Sequence, residues 1–181
     1  LLTLARIEHG SGSTPNAPVS LAEVARQVGL ELALPAVQKG IDLALEADAD
    51  DLTTVPGQGL LLHEMVSNLV DNAIRYTPAG GSVLLQVGRE GDQVSLAVSD
   101  SGPGIAAADM DKVFMPFYRA QATLEANPGG TGLGLAIVRD IANLHGAGIT
   151  LGPSGDGPGL SVRVIFPAPA IVEASSALKA N

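Results

Sequence analysis

The apolar positions of this chain change period several times, and each change marks an element. Leu1, Leu4, Ala5 and Glu8 fall at helical spacing, a pattern cut off as though a longer helix began upstream. Residues 10–18 are rich in Gly, Ser, Pro and Asn and lack apolar periodicity, which suits a linker. Ser20, with Glu23 three residues on, reads as the capping box of a helix reaching about residue 38. Alternation over residues 41–46 predicts a strand, and a second helix is predicted over 59–76, between a Pro-Gly turn and Pro78. Two alternating runs, 82–89 and 93–100, joined by a short turn, predict an antiparallel hairpin. Regular structure is then sparse as far as residue 132, apart from a short helix near 106–113. A stretch of that length inside a compact domain is expected to be a functional lid or disordered. A helix over 133–145 and a strand pair at 149–151 and 160–166 follow. The expected fold class is α+β, a two-layer α/β sandwich whose mixed or antiparallel sheet carries helices on one face. Residues 1–9 are read as a helical stub, 10–18 as linker, 19–167 as the domain and 168–181 as a disordered tail.

Composition narrows what such a domain can do. With 181 residues, 46% of them hydrophobic, the chain can bury one sizeable core. A net charge of −9 argues against a long basic footprint for nucleic acid or an anionic membrane, so any phosphate must be handled locally. The absence of cysteine excludes disulfides, thiolate catalysis and Cys-ligated zinc, and leaves the redox compartment undetermined. No run of about 18 apolar residues is present. No basic segment leads into an apolar one at the start, so a secretory leader is not expected here.

The second helix holds the most chemistry. Leu62, Met65, Val66, Leu69 and Ala73 form its core stripe, and Glu64, Asn68, Asn72 and Arg75 fall together on an adjoining face. Asparagine is a poor helix former, so two of them beside the core need a reason. Either both amides are satisfied by local hydrogen bonds, or their oxygens serve as hard ligands for magnesium. Asp100 ends a strand in which Val94, Leu96 and Val98 point the same way, so its carboxylate is expected on the core side. A buried carboxylate needs a donor, and an exocyclic amine such as adenine's would serve. Gly102 and Gly104 would let backbone approach a flat ring. Gly129, Gly130, Gly132 and Gly134 run into the next helix, whose first N–H groups suit an anion. This is not a P-loop, because no Gly-Lys-Ser/Thr follows. Residues 102–107 fit the looser G-x-G-x-x-A pattern, which is discounted because the flanking strands form a hairpin. Phe114, Phe117 and Tyr118 crowd beside Arg119. The two phenylalanines are expected to anchor the loop on the core, and Arg119 to close over phosphates or stay solvated. His9, His63 and His145 lack metal-like spacing and are read as structural or surface residues.

Taken in order, "HEMVSNLVDNAIRYTP", "DSGPGI", "FMPFYRA" and "GGTGLGLAIV" resemble the N, G1, F and G2 boxes of bacterial two-component sensor histidine kinases. The resemblance spans residues 20–166 and implies the Bergerat-type ATP-binding fold shared with gyrase, an ATP-driven heat-shock chaperone and mismatch-repair ATPases. It implies ATP and Mg2+ as ligands, with Asn72 on the metal helped by Asn68, and Glu64 as the acid heading the motif. Arg75 and Tyr76 fall where the family contacts phosphate and adenine, and Asp100 where it binds the adenine amine; with that site, Arg119 of the loop is expected, with Arg75, to offset phosphate charge. Gly102, Gly104, Ile105, Phe114, Gly130, Thr131, Gly132, Leu133, Gly134 and Leu135 complete the implied nucleotide site, with the lid hinging at 130–134. "LLTLARIEHG" is similar to the end of the second helix of the family's dimerisation and phosphotransfer domain. The family's phosphoacceptor motif, a His followed by an acid, is absent, and neither His9 nor His63 fills that place. The implied activity is therefore γ-phosphate transfer to a histidine on a separate domain, for relay to a response regulator. The implied parent is a homodimeric inner-membrane sensor with this part on the cytoplasmic side, touching neither membrane nor nucleic acid. A GHKL-type ATPase clamp, with Glu64 activating water, and a non-catalytic regulator-binding module are the competing readings.

Overall fold

The computed structural model describes residues 17–120, 130–155 and 157–167. The helical stub, most of the linker, the middle of the glycine-rich stretch and the tail lie outside the described residues. Ser20 caps helix α1 (Leu21–Lys39), its side chain accepting from the Glu23 N–H at 3.1 Å. The Glu23 carboxylate turns instead to Arg26, at 2.9 Å, so this side of the expected capping box is an i,i+3 ion pair. Gly40 ends the helix in the left-handed region, which only glycine adopts without strain, and the chain reverses into β2 (Asp42–Ala47). Helix α2 (Gly59–Tyr76), the hairpin β4 (Ser82–Glu90) and β5 (Gln93–Asp100), helix α3 (Gly134–Leu144), β6 (Gly148–Pro153) and β7 (Leu160–Phe166) follow.

The main sheet runs β2-β4-β5-β7-β6, with β2 parallel to β4 and every other pair antiparallel. It is mixed, as the hairpin between two helices allows. Its inner face presents Val83, Leu85 and Val87, then Leu96 and Val98, then Val162, Val164 and Phe166. Against them pack Val24, Ala25 and Val28 of α1, Leu62, Met65, Val66 and Leu69 of α2, and Val138, Ile141 and Ala142 of α3. This is one core between two layers. No helix among the described residues is long and apolar enough to cross a membrane.

Two expectations need correction. The end of the expected linker is β1 (Ala17–Ser20), paired antiparallel with β3 (Thr54–Gly57), Pro18 opposite Pro56. Four-residue strands that each contain proline show no usable alternation, yet a two-stranded edge tolerates a missing donor. The helix expected near 106–113 is only a 3-10 turn at Ala107–Asp109 followed by turns.

His145 is structural. Its Nδ1–H donates to the Ile141 carbonyl at 2.7 Å, which leaves Nε2 to accept from the Gln58 N–H at 3.1 Å. The end of α3 is thereby joined to the start of α2. His63 sits on the surface against Glu31 at 3.1 Å.

Candidate functional site

The register Val83↔Asp100 places the end of β5 beside the start of β4, and α2 ends only five residues before β4 begins. Asp100 and the last turns of α2 therefore meet at one end of the sheet. There they open onto a cleft that is lined, among the described residues, by Asn68, Asp71, Asn72, Arg75, Tyr76, Asp100, Gly104, Ile105, Tyr118, Arg119, Gly130, Thr131, Gly132, Gly134 and Leu135, over an apolar floor of Leu69, Ala73, Val98, Leu160 and Val162. An apolar slot with a few convergent polar groups is the usual form of a small-molecule site.

Helical spacing brings Asn68, Asn72 and Arg75 to the cleft from one side. Asn68 Nδ2 donates to the Glu64 carbonyl at 2.8 Å, which sets the orientation of its amide. Asn72 lies against the first residue of α3: a Cβ on Gly134 would come within 2.7 Å of Asn72 Nδ2. Arg75 is held by Asp71 at 2.8 Å, an i,i+4 pair. Glu64 is half-buried and does not line the cleft, although its spacing puts it on the same helical face. The donor set suits magnesium, because two hard amide oxygens project from one face and the glycine cradle leaves room beside Asn72.

Asp100 closes the opposite end. It is only 8% exposed, and its Oδ1 accepts from the N–H groups of Gly102 at 2.8 Å and Leu160 at 3.3 Å. Burial raises its pKa above the usual carboxylate range, and the two backbone donors work against that rise. Gly102 itself does not line the cleft. A Cβ there would crowd Asp100 Oδ1 at 2.9 Å and the Tyr76 carbonyl at 3.1 Å, so its part is to let the carboxylate and the end of α2 close together.

The third wall comes from the glycine-rich stretch. The Phe117 N–H donates to the Gly132 carbonyl at 3.0 Å, and Tyr118 Oη donates to Asp109 Oδ1 at 2.6 Å. A Cβ on Gly130 would stand 3.2 Å from Tyr76 Oη and 3.5 Å from the Arg119 guanidinium, so this glycine brings the two sides together. Helix α3 starts at Leu133 without a side-chain cap, and its first N–H groups are not satisfied in that way. Leu133 and Phe114 do not line the cleft. Phe117 departs from its expected anchoring role: it is 68% exposed and left-handed at φ 64°. Residues 121–129 lie outside the described residues.

Gly132 combines φ 71° with a would-be Cβ 2.8 Å from the backbone of Phe117 and Tyr118, whereas Gly146 has φ 64° and open space. Gly146→Ala should lose about 1–2 kcal/mol of stability from the left-handed conformation alone. Gly132→Ala should lose clearly more, because backbone must also move. Equal losses in chemical denaturation would disprove the close approach.

The family model described as histidine kinase-, DNA gyrase B-, and HSP90-like ATPase matches residues 57–170, from the start of α2 through β7. The chain belongs to that family. Sensor protein kinase PmrB of Pseudomonas aeruginosa is 42% identical over 167 residues, a match that covers 92% of this chain and 34% of PmrB. The chain thus spans about a third of the length of that relative. Among solved structures, the catalytic domain of histidine kinase ThkA superposes with a TM-score of 0.72 at 28% identity, covering 84% of this chain and 97% of that one. Full-length ShkA in complex with AMPPNP superposes with a TM-score of 0.74 at 28% identity, covering 93% of this chain and 35% of that one. The α+β sandwich is the histidine kinase catalytic-domain fold, and the chain is an ATP-binding domain of that family.

Several cleft residues were not visible as candidates in the sequence. Asp71 lies beside Asn72 and off the stripe of Glu64, Asn68, Asn72 and Arg75; its position four residues before Arg75 is the signal the sequence holds for it. Val98 and Val162 are core residues that also floor the cleft.

Proposed function

We propose that this chain is the catalytic portion of a sensor histidine kinase, which binds Mg-ATP and transfers the γ-phosphoryl group to a histidine on a dimerisation and phosphotransfer domain. The observation that carries this reading is a single cleft with a buried carboxylate at one end and two amides with an arginine at the other. In the transfer, a histidine ring nitrogen forms a bond to the γ-phosphorus as the bridging P–O bond breaks, and ADP departs with the electron pair. Asp100, with Oδ1 engaged by backbone, offers its other oxygen to the adenine amine. Tyr76 borders the purine, while Arg75 and Arg119 offset phosphate charge. Gly130, Thr131 and Gly132 shape the lid, and the start of α3 at Gly134 directs N–H groups at the phosphates. Asn72, helped by Asn68, would hold magnesium, which supplies charge neutralisation across the phosphates. Catalysis then consists of positioning and electrostatics, with no covalent enzyme intermediate.

Residues 1–9 belong, in this reading, to the dimerisation helix and 10–16 to the linker, and the parent dimerises at the cytoplasmic face of a membrane and passes phosphate to a response regulator. The clamp alternative would use Glu64 to activate water, and Glu64 stands outside the cleft lining. Mixing the chain with a separately produced acceptor domain and labelled ATP should yield acid-labile, base-stable phosphohistidine. Tight ATP binding with no transfer to any histidine-bearing acceptor would sink the reading.

A further inference from the structure

The cleft takes its polar groups from the wrong end of α2 for an anion. Asn72, Arg75 and Tyr76 come from its last two turns, and a helix C-terminus carries roughly half a negative charge, which opposes a triphosphate. The fate of the last carbonyls shows how this is managed. The Ala73 carbonyl accepts from the Thr77 N–H at 3.1 Å and the Thr77 hydroxyl at 2.7 Å. The Ile74 and Arg75 carbonyls both accept from one ammonium, Lys39 Nζ, at 2.8 and 2.5 Å. Lys39 ends α1, lies more than thirty residues away in sequence, belongs to none of the four motifs and does not line the cleft. The fourth carbonyl, that of Tyr76, packs on Gly102, whose N–H holds Asp100. One cation thus braces the helix end that presents Arg75 and Tyr76, and that end abuts the carboxylate across the cleft.

We propose that Lys39 is a positioning residue of the nucleotide site, offsetting the negative end of α2 and fixing the backbone of Arg75 so that a nucleoside polyphosphate can bind. Burial first, and then the charge of Arg75, lower its pKa. Arg75 has Asp71 as a counter-ion, whereas Lys39 has carbonyl dipoles. An ammonium bound to the backbone of a cleft-lining arginine, in a chain of net charge −9, fits a site that receives an anion.

The proposal rests on the ATP-site reading, and the test separates the two. Lys39→Gln retains a donor for the carbonyls and deletes the charge; Lys39→Arg retains the charge. Binding of Mg-AMPPNP and of adenosine to the full chain is measured by calorimetry, with thermal melts as the folding control. Lys39→Gln should weaken Mg-AMPPNP about 5- to 10-fold, the scale of a charge at a helix terminus, and adenosine less than about twofold. Lys39→Arg should restore most of the triphosphate affinity. Equal loss for both ligands would make Lys39 a structural tie and overturn the proposal, as would unchanged affinity for both. Failure of the wild-type chain to bind Mg-AMPPNP would bring down the ATP-site reading itself and this proposal with it.

Discussion

Asn72→Ala should abolish the magnesium dependence of ATP binding while leaving the domain folded. The amide lies in the cleft against Gly134, and alanine removes it while leaving the helical backbone intact. Helix propensity favours alanine over asparagine by up to about 0.7 kcal/mol, so the variant should melt no lower than wild type. Its affinity in the presence of magnesium should fall at least about tenfold, the scale of losing one oxygen that faces a charged partner. Affinity without magnesium should scarcely move. Calorimetric titration of AMPPNP with and without the ion gives both numbers, and a magnesium dependence equal to that of wild type would refute the assignment.

Asp100→Asn should separate stability from binding in the same direction. The amide oxygen can still accept from Gly102 and Leu160, so both backbone donors stay satisfied. What disappears is a buried charge. Because the folded pKa of Asp100 is raised above its unfolded value, the folded state holds the proton more tightly. Its contribution to stability therefore falls as pH rises from the ordinary carboxylate range through the raised value, and recovers as pH drops back. The Asn variant should melt at or above wild type at neutral pH and lose part of the pH slope in the mildly acidic range. ATP affinity should drop about 10- to 100-fold, since an amide N–H would face the adenine amine where an acceptor stood. A variant less stable at neutral pH, or equal in ATP affinity, would contradict this account of the carboxylate.

Both substitutions concern residues that are locally unfavourable, and that is why they could be read without coordinates. Mid-helix asparagines and a strand-terminal aspartate on an apolar face conflict with local preference, and such conflict concentrates at sites. The long elements were legible for the opposite reason, because α2, the hairpin and α3 have strong periodicity and clear breakers. Elements whose pairing is purely tertiary escaped. The β1–β3 ribbon is too short and proline-broken to show a period. Lys39 looked like an ordinary basic residue in a last helical turn, and only the packing of α1 on α2 reveals whose carbonyls it serves. Glu64 shows the converse, since helical spacing alone does not put it in the cleft lining.

The ribbon bears on how force would reach the cleft. β1 is the entry of the chain into the domain, and its partner β3 is separated from α2 by Gln58 alone. A displacement of β1 would therefore act beside the near end of a helix of 18 residues, about 27 Å long, whose far end carries Arg75 and Tyr76. One straight run of helix thus separates the β1–β3 ribbon from the cleft.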